Sequence, residues 1–132
     1  MDERLRQLMA QGREHYEKHE YEKAEPYLTQ ALLTNPSYAD VHNMLGVIYH
    51  DQGRFQQAEE AFQEALAHDV GSVRGALGMW ALCERLGRHE EADRYMKVAR
   101  RCWAKADPKD FEHLRDDMAV KAQKLPKGMA GE

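Results

Sequence analysis

The sequence predicts an all-α protein, an α-solenoid of three helix-turn-helix hairpins followed by one C-terminal capping helix, and three observations carry that prediction. A skeleton of small residues returns every 34 positions, so that Ala24, Ala58 and Ala92 fall in step, as do Ala31, Ala65 and Ala99. Within each copy the apolar residues recur at three to four positions, which is the period of a helix and not of a strand. Each copy is also broken once by a short polar stretch, and such a break between two amphipathic runs reads as the turn of a helical hairpin.

The middle copy is the clearest. Leu45, Ile48 and Tyr49 form one apolar stripe, and Phe55, Ala58, Ala61, Phe62, Ala65 and Leu66 form the next. Asp51, Gln52 and Gly53 lie between them, with a glycine suited to the left-handed conformation that closes a helix. Gly46 and Ala58 are expected to let the two backbones approach, with Tyr49 and Phe62 filling the space above and below. In the first copy a helix beginning near Tyr21 or Glu22 contains Pro26, which removes at most one backbone hydrogen bond so close to a helix start. A single hairpin cannot bury its apolar faces, so the copies must stack. After the third copy, Asp107 and Pro108 read as a cap and first helical residue. Phe111, Leu114, Met118, Lys121, Ala122 and Leu125 continue as a final amphipathic helix that covers the exposed end of the stack. One domain over residues 1–125 is expected, with repeats at about 5–38, 39–72 and 73–106, a capping helix at about 108–125 and a frayed tail at 126–132.

These residues resemble the tetratricopeptide repeat, whose pattern sets an aromatic, leucine-glycine, tyrosine, alanine, an aromatic and proline at fixed spacing. The middle copy matches with Leu45, Gly46, Tyr49, Ala58 and Phe62, and departs with His42 at the leading aromatic and Val70 at the proline. The first copy supplies Leu8, Gly12, Ala24, Leu28, Ala31 and Pro36, with His15 at the tyrosine. The third, with Met79, Trp80, Cys83, Ala92, Met96 and Ala99, is the loosest. Trp80 stands where the family places a small residue, and Gly75 and Gly78 beside it are expected to make room for the indole.

Composition restricts the function. A net charge of −4 argues against a nucleic-acid groove. The opening MDERLRQLMAQG lacks the apolar run of a secretory signal, and no stretch approaches the roughly 20 apolar residues of a membrane span, so a cytoplasmic location is expected. Cys83 and Cys102 have no repeated spacing and read as thiols, not as a disulfide framework. His15 and His19 stand four apart, the spacing that puts two ligands on one helix face, yet His19 lies near a turn, no nearby cysteine or third histidine completes a site, and no activated thiol or phosphate-cradling glycine loop is present. Neither a metal, a cofactor nor an enzyme activity is expected.

Recognition remains. The resemblance implies that the first helix of each pair lines a concave groove. By that projection the groove holds Arg6, Met9, Arg13 and Tyr16, then Asn43, Met44, Val47 and His50, then Arg74, Leu77 and Ala81. The apolar members, with adaptable methionines, suit partner side chains. The arginines suit an acidic group, and Asn43 suits the backbone of an extended peptide. Met44 and Val47 are expected to be dispensable for hairpin packing, whereas Met9 and Leu77 also read as inter-repeat core. The clamp with which family members hold acidic chaperone tails would fall on Met9, Arg13, Met44, Arg74 and Gly78, where only Arg74 agrees in kind. The expected function is a protein-protein interaction module, an adaptor or assembly chaperone similar in architecture to the small three-repeat chaperones of type III secretion translocators. The alternative is a self-associating scaffold, a homo-oligomer built from hairpin contacts.

Overall fold

Six helices follow one another without a strand in the computed structural model, which describes residues 2–103 and 112–116. They are α1 (Glu3–Glu17), α2 (Tyr21–Thr34), α3 (Ala39–Asp51), α4 (Phe55–His68), α5 (Val73–Arg85) and α6 (His89–Cys102). Helices α1 and α2, α3 and α4, and α5 and α6 pack as hairpins, and α2 against α3 and α4 against α5 join the hairpins into a stack. Residues 112–116 are helical, and Leu114 packs against the main core. The rest of the expected capping helix and the 126–132 tail lie outside the described residues.

The three hairpin turns are built alike. In each, the second residue past the helix has positive φ: His19 at 60°, Gly53 at 76° and Gly87 at 78°. The next amide reaches back five residues at 2.8 Å, from Glu20 to the His15 carbonyl, from Arg54 to Tyr49 and from Arg88 to Cys83. This is the double-bonded helix stop that consumes otherwise orphaned carbonyls. The middle helix runs one residue further than the composition of its turn implies, since Asp51 is its last member and Gln52 its cap. At the first turn a histidine occupies the left-handed position, and a hydrogen bond of 2.9 Å between His19 Nδ1 and the Tyr21 hydroxyl steadies it there. Pro26 lies inside α2, which starts at Tyr21.

All six in-phase alanines are fully buried. The closest approach is made by Phe62, whose ring lies between α3 and α5. A Cβ on Gly46 would stand 2.6 Å from it, and one on Gly78 2.2 Å. Gly46 thus makes way for Phe62 itself, and Gly78 does the same from the next hairpin. The expectation that Gly75 and Gly78 make room for Trp80 is therefore corrected: a Cβ on Gly75 would meet Leu66 and Ser72, and Trp80 sits half-buried against the main core. That core runs from α2 to α6, with a smaller cluster of Leu5, Leu8 and Ala31 at the N-terminal end.

The 34-residue period also repeats an ion pair. Arg54 bonds Glu25 at 2.9 Å, and Arg88 bonds Glu59 at 2.8 Å, each arginine reaching from the start of one second helix to the preceding one. Among the described residues, no helix is long and apolar enough to cross a membrane.

Candidate functional site

Contacts of α1 with α3 and of α3 with α5 set the first helices of the three hairpins side by side, forming one continuous face of the stack. A cavity of about 130 Å³ opens on it. Its lining comprises Arg13, Tyr16 and Glu17 from α1, Asp40, Asn43, Met44 and Val47 from α3, Phe62 from α4 and Arg74 from α5. The volume is well below the roughly 300–1,000 Å³ of a small-molecule pocket, and it suits a protruding side chain or two.

Six of the eleven residues projected onto the groove meet here: Arg13, Tyr16, Asn43, Met44, Val47 and Arg74. Glu17, Asp40 and Phe62 are additional. The acidic pair was visible in sequence as polar positions one residue from Tyr16 and three before Asn43, but nothing in the pattern aimed them at the groove. The remaining five projected residues lie elsewhere. Arg6 is exposed on α1, 3.9 Å from Glu3. Met9 is half-buried and touches both core clusters. His50, Leu77 and Ala81 are buried in α3 and α5 and do not line the cavity; His50 packs edge-on against Phe55, and Leu77 and Ala81 belong to the main core.

Met44 and Val47 require a second correction. They are only 7% and 4% exposed and belong to the main core, so they form the floor of the cavity and also hold the hairpins together. The expected dispensability fails because α3 is the central element of the stack. Neighbours on several sides leave it almost no free face.

The rim is polar and balanced, with Arg13 and Arg74 against Glu17 and Asp40. Neither arginine has a carboxylate within 4.0 Å among the described residues, so both guanidinium groups keep their donors for an incoming acceptor. Asn43, 5% exposed, donates from Nδ2 to the Ser72 hydroxyl at 3.1 Å, while its Oδ1 is buried without a partner. Ser72 is itself anchored, accepting from the Gly75 amide at 3.0 Å as the cap of α5. The α3 amide is thereby tied to the start of the next hairpin, and an unpaired amide oxygen in such a place is costly until something donates to it.

His15, His19 and Cys83 resolve into packing. His15 faces Glu20 at 3.1 Å and stacks on Tyr27, whereas His19 turns to Tyr21, so the two histidines four apart serve different neighbours. Burial, reinforced by Glu91, pushes the Cys83 thiol up to about 11, which leaves it protonated and unreactive at neutral pH.

Stacked helical hairpins presenting their first helices as one face define the class of this protein: a helical-repeat solenoid. A tetratricopeptide-repeat profile matches residues 9–72 and 52–110, and the chain belongs to that family. Solved structures with the same fold include the TPR2B domain of yeast Sti1 in a pHsp70 complex, with a TM-score of 0.79 and 16% identity over 93% of this chain and 98% of that one. The type III secretion translocator chaperone SycD of Yersinia enterocolitica gives 0.78 and 17% over 93% and 92%. The Arabidopsis OM64 TPR domain gives 0.75 and 21% over 89% and 96%. No curated protein sequence matches the chain significantly.

Proposed function

We propose that this protein is an interaction module that takes a peptide segment of a partner protein on the face formed by α1, α3 and α5, as an adaptor or assembly chaperone. The family and fold are those of protein-interaction modules. The observation that carries the reading is the cavity on that face, lined by Asn43 and by two arginines that have no carboxylate partner among the described residues. An extended segment fits this chemistry: one side chain enters above Met44 and Val47, an acidic group pairs with Arg13 or Arg74, and a turn of the Asn43 amide brings its unpaired oxygen to a backbone donor. Specificity then resides in these few surface side chains and not in the repeat itself.

The test uses the rim, because the floor is structural. Intact chain and an Arg13→Glu, Arg74→Glu variant are compared as baits in lysate of the native host, with mass spectrometry as the readout and circular dichroism to verify equal folding. A protein captured by the intact chain and lost with the variant is the expected result. Capture that survives both charge reversals overturns the assignment of this face. Light scattering of the intact chain addresses the scaffold alternative, which requires a concentration-dependent mass above that of one chain.

A further inference from the structure

Outside the groove, one cluster of side chains among the described residues has the composition of a metal site. His42 on α3 and Glu64 and His68 on α4 bring one ligand atom each to within 4.8 Å of one another. We infer that these three residues bind a divalent transition-metal ion of the zinc type, clasping the start of α3 to the end of α4.

Geometry, ligand type and position support the site. Glu64 and His68 are four apart on one helix and therefore share a face. His68 Nε2 stands 3.4 Å from Glu64 Oε2. Zinc bonds its nitrogen and oxygen ligands at about 2.0–2.2 Å, which for a tetrahedral ion sets neighbouring ligand atoms about 3.4 Å apart, so this edge is already at coordination length. His42 Nε2 donates to the Pro36 carbonyl at 2.8 Å, because a carbonyl can only accept. That leaves the Nδ1 lone pair for an ion, and a ring nitrogen held by a backbone carbonyl is the usual outer support of a histidine ligand. Two imidazoles and one carboxylate favour zinc and its transition-metal neighbours over calcium or magnesium, and a fourth position stays open to water. The two rings stack at 5.7 Å and 16°, so binding turns the exposed His68 ring, and the exposed Glu64 carboxylate follows to keep their edge, until the ion lies in both ring planes.

The repeat itself shows that packing does not demand these residues. One period away the same positions hold Leu8, Gln30 and Thr34 in the first copy, and Ala76, Val98 and Cys102 in the third. Only the middle copy carries the ligand set, and it does so where His42 replaces the aromatic of the repeat pattern. The ion would close the end of the hairpin opposite its Gly53 turn, beside the Pro36 segment that leads in from the first hairpin.

Zinc titration calorimetry on the full, tag-free chain, paired with thermal melts, tests the assignment. One ion per chain is expected, with a midpoint raised by several degrees at saturating zinc. His68→Gln, an exposed change that leaves packing intact, should weaken binding at least about tenfold, as should His42→Ala. Cobalt in place of zinc should give the visible absorption of a tetrahedral site. A His15→Ala, His19→Ala variant should bind like the intact chain. Absence of binding at millimolar zinc, binding unchanged by His68→Gln, or loss of binding in the His15, His19 variant would overturn the site.

Discussion

Phe62 is the side chain on which two hairpins converge, and the glycines around it are steric requirements. Gly78→Ala places a methyl 2.2 Å from the ring, against 2.6 Å for Gly46→Ala. Overpacking of this kind costs about 1–3 kcal/mol, partly offset by about 1 kcal/mol of helix propensity gained over glycine. Urea denaturation should therefore show Gly78→Ala as the more destabilised of the two, and Phe62→Leu in the same chain should recover part of the loss. His50 makes a different prediction. Burial, with the Arg85 cation adding to it, pushes its pKa down to about 4 from an ordinary 6.5, and its Nε2 has no hydrogen-bond partner. Between those values the unfolded chain takes up a proton that the folded chain refuses. The contribution of this neutral histidine is thus present above pH 6.5 and falls by up to about 3 kcal/mol as pH drops towards 4. Denaturation midpoints measured from pH 7 to 4 should show that slope, and His50→Phe should flatten it.

At the scale of elements, the three turns form an internal comparison. Gly53 and Gly87 accept the left-handed conformation without a Cβ penalty, whereas His19 pays it and recovers part through Tyr21. Gly53→Ala should lower stability by about 1 kcal/mol, and His19→Gly should change it by less than that, both read from denaturation midpoints. The turn glycines were legible in sequence because their requirement is local. The arginine ladder was not, although Glu25 and Glu59, and Arg54 and Arg88, are separated by the same 34 residues as the alanines. A periodic charge announces a repeat but not its partner. These pairs are part-exposed, so a double-mutant cycle on Arg88 and Glu59 should return a coupling of only about 0.5 kcal/mol.

Across the whole molecule, stability comes from stacking, since among the described residues each hairpin packs mainly on its neighbours and α3 and α4 mediate between the ends. Val47→Glu buries a carboxylate in that centre and should unfold the chain, not merely silence a binding face. Phe62→Ala should cost about 3–5 kcal/mol and loosen the contact between the second and third hairpins. Its signature should be a tryptophan fluorescence transition, from Trp80 and Trp103 at the third hairpin, that separates from the circular dichroism transition of the whole chain.

The sequence by itself determined the six helices of the three hairpins, their pairing, the buried alanines and the family, because each depends on spacing along the chain, and a 34-residue period repeats every such spacing. Only the tertiary structure decided which first-helix residues remain at the surface. A lone amphipathic helix has one buried stripe, but α3 has neighbours on several sides, and this drew Met44, Val47 and His50 inward and left Arg13, Tyr16 and Arg74 at the cavity. It likewise decided that Gly78 serves Phe62, and that His42 meets Glu64 and His68 more than twenty residues away. Those relations depend on distances across helices, which the spacing within one helix does not contain.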